Sequence, residues 1–269
     1  MRVVQASVEA FQPAPRDDPW CYPGSAPPVH FVYDGGVHLL EAVEDLRELD
    51  EWLVRRGATP LGERYAVLCS GSNACPAQVQ RKCSDLGGEH TTPFLRVRAG
   101  GIVAVYAAII AEYGAIPATL ERDPAAVAEL FLALYTRAHL DVVIATERPE
   151  YYLAQLAPRI TLPGGVRLPF VYAFVSRDGF LSLGGAEPWR LADHSQRELL
   201  ERLFEQLGPA VDAPRLSDYL REPRAHRQGL LAAIRARGMV RPSSLPCLPV
   251  EEGALVPFGR VLAGAGGPG

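Results

Sequence analysis

The sequence predicts a mixed α+β fold, and three observations support this prediction. The first is an apolar run, Tyr65–Cys69, with the length and composition of a buried strand; a glycine turn, Ser70–Asn73, joins it to a predicted helix over Ala74–Cys83. The second is a series of short strand-like runs between residues 93 and 183. The third is a change to helical periodicity in the last third of the chain. We therefore predict a sheet-rich core over residues 61–188.

The segment before this core, residues 1–60, is predicted to be an N-terminal extension. Proline is frequent as far as Pro28, which favours extended chain wrapped on the core or loosely ordered. Val29–Tyr33 and Val37–Leu40 flank an Asp-Gly turn, which is a good hairpin signal. Apolar residues at helical spacing then predict a helix over Glu41–Arg56, and Gly57 ends it.

The predicted core contains several short strands and one further helix. The strands are predicted at Pro93–Arg98 and Ile102–Ile110 around an Ala99–Gly101 turn, at Ala115–Leu120, at Tyr151–Ala157, and as a hairpin of Leu168–Ser176 with Phe180–Leu183. The helix is predicted over Thr136–Glu147. The composition of Ala125–Tyr135, in which alanine, leucine and glutamate dominate, favours a helix.

The segment after the core, residues 189–269, is predicted to be a helical C-terminal extension that covers the surroundings of the site without chemistry of its own. Helices are predicted over Ser195–Leu207, Ser217–Arg221 and Arg224–Arg237, followed by a disordered glycine-rich tail, Ala263–Gly269. Seven arginines and one histidine fall between Arg215 and Arg241. They indicate either a patch for an anionic partner or a solvated helix face.

Composition excludes several classes of function. The net charge of −4 argues against a general nucleic-acid binder. The five cysteines are odd in number and lack Cys-x-x-Cys spacing, and the six histidines are scattered, so we expect neither a disulfide framework nor a metal. No signal-peptide pattern opens the chain, and the longest charge-free apolar run, Ala99–Ala111, is too short to span a bilayer. We expect a cytoplasmic protein with no membrane partner; the oligomeric state is not predicted.

The chain contains a single lysine, Lys82, in the predicted helix after the glycine turn. We interpret it as a helix-surface residue, which argues against lysine-dependent covalent chemistry. The turn itself is more informative. With Asn73 as helix N-cap and Pro76 in the first turn, several backbone N–H groups would point at one spot, as in an anion or oxyanion site. An ordinary strand-to-helix corner is the alternative interpretation.

The order of the motifs resembles the gamma-glutamylcyclotransferase-like family. That family opens with a strand, Tyr-Gly-Ser-Asn and a helix, has a Gly/Ala-rich pocket strand, and then carries a glutamate shortly before a strand that begins with tyrosine. The matching pieces here are Ser70–Asn73, Gly114–Thr119, Glu147, and Tyr151 or Tyr152, and the resemblance covers about residues 63–185. Ser70 stands where the family has tyrosine.

The resemblance implies a small β-barrel with surrounding helices, a strand at Glu129–Tyr135, and an enzyme without a cofactor. Such an enzyme releases 5-oxoproline and a free amine from a gamma-glutamyl amine or peptide, with Glu147 as general acid/base. A partly apolar pocket that raises the pKa of this carboxyl would suit the role. The substrate-binding residues that the resemblance implies are Ser70, Gly71, Ser72, Asn73, Ala74, Gly114, Tyr151 and Tyr152.

Two other functions fit the same sequence. The first is a non-catalytic module that binds a small ligand in the pocket or a partner through the arginine-rich segment. The second is a hydrolase or transferase that uses Cys69, because a thiol near a helix N-terminus can become a nucleophile. Since Cys69 lies within an apolar run, a buried and unreactive thiol is the simpler interpretation.

Overall fold

One large sheet with helices around it forms the fold. The computed structural model describes residues 1–83, 90–185, 187–208 and 213–265. Within these ranges it contains thirteen strands and seven α-helices, so the predicted mixed α+β class is confirmed. The strands are β1 (Arg2–Ala6), β2 (His30–Tyr33), β3 (Val37–Glu41), β4 (Tyr65–Cys69), β5 (Thr92–Tyr106), β6 (Ala118–Tyr135), β7 (Tyr151–Leu156), β8 (Arg159–Thr161), β9 (Arg167–Leu168), β10 (Val171–Ser176), β11 (Phe180–Leu181), β12 (Val240–Arg241) and β13 (Leu248–Pro249). The helices are α1 (Leu46–Arg55), α2 (Pro76–Cys83), α3 (Arg137–Glu147), α4 (Gln196–Leu207), α5 (Leu216–Arg221), α6 (Pro223–Ala236) and α7 (Phe258–Ala265).

The main sheet runs in the order β1-β3-β2-β5-β6-β4-β10-β7-β13, with β8 and β9 attached beside β5. Among the described strands only β4 and β10 pair in parallel. The strands at the two ends, β1 and β13, do not pair with each other in the described part of the chain, so the small barrel implied by the resemblance is not a closed barrel here. Strand β4 lies between β6 and β10. The turn that follows β4 therefore begins at a central strand and not at an edge of the sheet.

The long hairpin of β5 and β6 corrects two predicted boundaries and confirms one predicted strand. Residues 99–101 do not form a turn between two strands, since β5 is continuous from Thr92 to Tyr106 and has only a register shift between Gly100 and Ile102. Gly101 takes a φ of +91°, which glycine adopts without strain. The strand predicted at 115–120 begins at Ala118 and is the first part of β6. The same strand includes Glu129–Tyr135, so the strand implied there by the resemblance is confirmed and a helix is wrong.

The hairpin predicted across residues 177–179 is also wrong. Strand β10 pairs with β4 and β7, whereas β11 pairs with β12 from the C-terminal extension. The pairing of β10 with β7 continues one residue further, where the N–H of Arg177 donates to the carbonyl of Glu150 at 3.0 Å, and the chain leaves the main sheet after it. The end of the core thus contacts the C-terminal extension directly.

The N-terminal extension joins the sheet and does not simply pack against it. The predicted hairpin is present as β2 and β3, and β2 pairs with β5 of the core. Helix α1 begins at Leu46 and not at residue 41, which is still in β3. Its start is set by Asp45, whose side chain accepts a hydrogen bond from the N–H of Arg47 at 2.8 Å.

The strand-to-helix segment at the centre of the sequence prediction is present with one change. Strand β4 has the predicted bounds, but Ser72–Ala74 form a separate 3₁₀ turn and α2 begins at Pro76. Asn73 is therefore not the N-cap of α2. Helix α3 confirms the prediction over 136–147, with the Thr136 side chain accepting from the N–H of His139.

The three helices predicted in the C-terminal segment are present as α4, α5 and α6, and the segment also contains β12, β13 and α7. Helices α4, α5 and α6 bury Leu199, Leu203, Tyr219, Leu230 and further apolar residues in one cluster with Tyr106 at the end of β5. Residues 263–265, predicted to be disordered, form the end of α7, and residues 266–269 of the same tail lie outside the described residues. In the described ranges no helix has the length and apolar character needed to cross a membrane.

Candidate functional site

A cavity of about 290 Å³ lies at the turn that follows β4. The turn contributes Ser70–Asn73 to its wall, and the last residue of α3, Glu147, faces the same space. The rest of the wall comes from segments far apart in the chain: Arg16, Tyr22, Lys82, Tyr113, Tyr151 and Arg227. This volume is near the lower limit for small-molecule sites in proteins, so the cavity has room for a compact ligand.

Six of the nine residues predicted for the site line this cavity. They are Ser70, Gly71, Ser72, Asn73, Glu147 and Tyr151. Two of the others are directed elsewhere. Ala74 is buried behind the turn in the apolar core, and the hydroxyl of Tyr152 lies 3.3 Å from Sγ of Cys247.

Gly114, the ninth predicted residue, packs against the start of α6. Its φ is +100°, and a Cβ atom there would lie 2.3 Å from Cβ of Pro223. Its carbonyl accepts a hydrogen bond from the hydroxyl of Tyr219, at 2.5 Å. Gly114 thus fixes the C-terminal helices against the core and does not line the cavity.

Glu147 is held by two side chains. Nζ of Lys82 lies 2.5 Å from Oε1 of Glu147, and Nδ2 of Asn73 donates to the same oxygen at 3.2 Å. Nζ of Lys82 also donates to Oδ1 of Asn73 at 2.7 Å, which closes a three-residue network. The side chains of Lys82 and Glu147 are only 13% and 15% exposed. The interpretation of Lys82 as a helix-surface residue is therefore wrong.

The network uses only one of the two carboxylate oxygens. Both donors reach Oε1, and within the described residues Oε2 of Glu147 receives no hydrogen bond. A carboxylate fixed through one oxygen keeps lone pairs on the other for a ligand or a proton. Glu147 is thus positioned and still has a free oxygen.

A buried tyrosine from the N-terminal extension lies across the turn. Oη of Tyr22 accepts a hydrogen bond from the backbone N–H of Ala118 at 2.7 Å. The approach to Gly71 is so close that a Cβ atom at that position would lie 1.9 Å from the same oxygen. Glycine is needed at 71 for this contact, because any side chain there would displace the tyrosine.

Burial raises the pKa of Tyr22 well above its ordinary value, and the nearby Tyr113 raises it further. The nearby backbone N–H groups of Ala118 and Ser72 lower the pKa, but their effect is smaller than that of burial. Tyr151 also forms a hydrogen bond with Ala118, but as the donor: its hydroxyl donates to the carbonyl of Ala118 at 2.9 Å. Burial raises the pKa of Tyr151 in the same direction. Both phenols are therefore neutral at physiological pH.

The guanidinium of Arg227 reaches the cavity from α6 of the C-terminal extension. Its Nη2 donates to Oε1 of Glu150 at 3.2 Å, but its Nε is buried and has no hydrogen-bond partner among the described residues. An unpaired buried N–H group is unfavourable, so it is a natural point for a ligand oxygen. The C-terminal extension thus contributes a charged group to the site, whereas the sequence predicted only a cover.

Cys69 lies away from this wall. It ends β4, is almost completely buried, and burial raises the pKa of its thiol to about 12. A thiol in this state supplies little thiolate at neutral pH. The described residues also contain no group of three or more histidine, cysteine, aspartate or glutamate side chains arranged to hold a metal ion.

Sequence reasoning missed Lys82, Tyr22, Arg16, Tyr113 and Arg227. One pattern in the sequence could have pointed to Lys82. Gln78 and Lys82 are four residues apart, which places them on the same face of α2, and both line the cavity. No local pattern marks the others, because they come from the N-terminal segment, from the loop after β5 and from α6.

Comparison with protein-family models, with curated proteins and with solved structures finds no match to this chain. Function is therefore inferred from the cavity itself. Four cationic side chains (Arg16, Lys82, Arg148, Arg227) and three carboxylates (Glu112, Glu147, Glu150) line it. Such a mixture is suited to a small ligand that carries both a carboxylate and an ammonium group.

Proposed function

We propose that this chain is a gamma-glutamylcyclotransferase-like enzyme that converts a gamma-glutamyl amine or peptide into 5-oxoproline and a free amine. One observation carries the proposal: Glu147 and the Ser70–Asn73 turn, which the resemblance assigns to one active site, line the same cavity. They are separated by more than seventy residues in sequence. Their convergence supports the resemblance independently of the local motifs.

The reaction needs one group that moves a proton. Oε2 of Glu147 takes a proton from the substrate's α-ammonium group, and the resulting amine attacks the γ-carbonyl carbon of the same molecule. A new C–N bond forms, the carbonyl oxygen becomes an oxyanion, and the bond to the leaving amine then breaks. Glu147 returns its proton to that amine, then takes the second proton from the new ring nitrogen and passes it to the departing amine. The products are the lactam 5-oxoproline and an ammonium ion, so atoms and charges balance without a cofactor.

The cavity contributes by shape as well as by proton transfer. The attack is intramolecular, and holding the glutamyl chain folded raises the effective concentration of the amine to about 10⁵ M or more. A compact volume of about 290 Å³ favours such folded conformers over extended ones. The network of Lys82 and Asn73 fixes the direction of the carboxylate, which keeps its free oxygen towards the substrate.

Arg227 is suited to a second carboxylate on the substrate. A gamma-glutamyl peptide carries one carboxylate on the glutamyl part and another on the leaving part. Nε and Nη2 form one edge of the guanidinium, and Nε has no partner among the described residues. A carboxylate bound there would satisfy this buried donor by a charge-assisted hydrogen bond. We therefore favour gamma-glutamyl peptides or amino acids over uncharged amines as substrates.

A non-catalytic ligand-binding module is the second candidate function. The observation that favours it is the ion pair itself, because Lys82 and Asn73 already hold one carboxylate oxygen of Glu147 in a structural network. Ser70, which stands where the family has tyrosine, also favours a binding module over an enzyme. In such a module the cavity would bind a zwitterionic compound and release it unchanged.

One experiment separates the two functions. The full chain is incubated with a panel of gamma-glutamyl amino acids, dipeptides and alkylamines, and 5-oxoproline is measured by mass spectrometry while binding is measured by calorimetry. Release of 5-oxoproline from at least one compound, lost in Glu147→Gln, supports the enzyme. Binding of a panel member with no 5-oxoproline after prolonged incubation would contradict it and support the binding module.

A further inference from the structure

The hydroxyl proton of Tyr22 has no acceptor in the described part of the chain. The oxygen accepts from the N–H of Ala118 at 2.7 Å and lies against the turn at Gly71, where a Cβ atom would be 1.9 Å from it. The N–H of Ala118 occupies one lone pair of the phenol oxygen, so the O–H itself is directed away from it. Tyr22 lines the cavity, as does Glu147. A buried donor without a partner therefore faces the space where a substrate would lie.

We propose that Tyr22 is a catalytic residue that donates its hydroxyl hydrogen to the oxyanion formed from the substrate's γ-carbonyl. The inference rests on the proposed function and deepens it. The oxyanion appears when the α-amine attacks, and a donor already fixed in position stabilises it without reorganisation. The hydroxyl of Tyr22 is fixed by a hydrogen bond from the start of β6 and by close contact with the turn after β4.

The turn positions the tyrosine. The sequence predicts that the backbone N–H groups of residues 70–74 meet the oxyanion directly, but Oη of Tyr22 lies against the turn at Gly71. The N–H of Ala118 donates to this oxygen, and donation into a phenol oxygen polarises its O–H bond and strengthens the hydrogen bond that the O–H makes in turn. The same burial that keeps the phenol neutral removes competing water, so the O–H of Tyr22 is a strong donor for the substrate.

Tyr151 shows by contrast what a purely structural tyrosine does here. Its hydroxyl donates to the carbonyl of Ala118, so its proton is already used. Of these two phenols that bind the peptide groups of Ala118, only Tyr22 keeps a proton for a ligand. Tyr22 also places a tyrosine ring and hydroxyl beside the turn, in a chain where Ser70 replaces the family tyrosine.

The test compares Tyr22→Phe with Tyr106→Phe on the best substrate of the panel. Tyr106 is a matched control, because it is buried and donates to the carbonyl of His194 at 2.7 Å but does not line the cavity. We expect kcat of Tyr22→Phe to fall about 10²–10³-fold with little change in KM, as for loss of an oxyanion donor. The Tyr106→Phe variant should lose about as much thermal stability as the Tyr22→Phe variant, and its kcat should equal that of the parent.

The outcomes are distinguishable. An active parent whose Tyr22→Phe variant keeps kcat within about threefold would overturn the role of Tyr22 and leave the proposed function standing. A parent that cyclises no member of the panel would overturn both. Equal losses of kcat in the Tyr22→Phe and Tyr106→Phe variants would show that general destabilisation, and not a missing donor, causes the effect, and would also overturn the role of Tyr22.

Discussion

Lys82 and Glu147 form an ion pair at 2.5 Å across the wall of the cavity, although one lies at the end of α2 and the other at the end of α3. Asn73 bridges them from the turn after β4. The three elements that the sequence places around the site are therefore joined by a single polar network. Lys82 and Asn73 both donate to the same oxygen of Glu147. Substitutions of Lys82 and of Glu147 should therefore change activity and stability in ways that can be measured separately.

Replacing the proposed general base, Glu147, should slow turnover and leave binding intact. Glu147→Gln keeps the volume and removes the basic oxygen, so kcat should fall about 10²–10⁴-fold while the affinity for gamma-glutamyl compounds changes little. Stability should fall by about 1–3 kcal/mol, because Lys82 loses its charged partner in a largely buried position. Single-turnover kinetics and thermal unfolding measure the two effects. Unchanged release of 5-oxoproline by this variant would remove Glu147 from the mechanism.

Removing the lysine should misplace the base. Lys82→Met leaves the largely buried carboxylate of Glu147 with only Asn73, so both stability and kcat should decrease, the latter by about tenfold or more. Arg81→Met is the matched control, because its neighbouring pair with Asp17 is exposed and surface pairs contribute about 0–1 kcal/mol. If the two variants behave alike in both assays, the position of Glu147 does not depend on Lys82.

Arg227 should select substrates by the charge of the leaving amine. Arg227→Met should raise KM about 10–100-fold for gamma-glutamyl peptides, since a hydrogen bond to a charged group contributes about 1.5–3 kcal/mol. KM for uncharged gamma-glutamyl alkylamines should stay close to the parent value. Arg224→Met, on the same helix but exposed, controls for the loss of positive charge. An equal rise in KM for both substrate classes would place Arg227 at the glutamyl end of the substrate.

Gly71 should tolerate no side chain. Gly71→Ala introduces a Cβ at 1.9 Å from Oη of Tyr22, so the tyrosine must move, and we expect a loss of about 1–3 kcal/mol in the free energy of unfolding. Gly253→Ala is the control, as a Cβ there meets nothing within 4 Å. Denaturant titration measures both. A Gly71→Ala variant as stable as the Gly253→Ala variant would mean that Tyr22 can leave the turn without cost.

A buried histidine should make the protein less stable in mild acid. Sγ of Cys83 lies 3.1 Å from Nε2 of His139, and Oγ1 of Thr92 lies 2.8 Å from its Nδ1. Thr92 donates to the carbonyl of His90, so it accepts from Nδ1–H, and Nε2 accepts from the thiol of Cys83. Burial lowers the pKa of His139 to about 4, and the neighbouring His90, Arg64 and Lys82 contribute.

The sign of the effect follows from the lowered pKa. The unfolded chain binds a proton at this histidine from about pH 6.5 downward, whereas the folded chain does so only near pH 4. Stability is therefore complete above about pH 6.5 and decreases by about 3 kcal/mol as the pH falls towards 4. Urea unfolding at several pH values measures this slope. His139→Gln should lack it, and an unchanged slope in that variant would contradict the assignment.

The sequence predicted those parts of the fold that local patterns determine. Tyr65–Cys69 and the helix that ends at Glu147 could be predicted because apolar runs, caps and turn residues act over a few positions. The β5–β6 hairpin was divided wrongly because a glycine pair that resembles a turn is an irregularity within a longer strand. Strand partners such as β11 and β12 depend on long-range packing, which no local pattern encodes.

The residues of the cavity also fall into those that local patterns predict and those that they do not. Glu147 and the turn were found through motif order, whereas Tyr22, Arg16 and Arg227 come from the two extensions and meet the core only after folding. Asn73 was predicted as a helix cap, since asparagine favours that position, but its side chain is used by Lys82 and Glu147. Local propensity gave way to a tertiary polar network at the residues that would bind substrate.

That the only lysine of the chain lies inside the cavity has a practical consequence. Reagents that acylate or reductively methylate primary amines have one side-chain target in this sequence, Nζ of Lys82. Coupling to a sensor surface through this side chain would therefore block the cavity. The same scarcity permits an isotopic methyl label on Lys82, whose magnetic resonance signal would report directly whether the cavity is occupied.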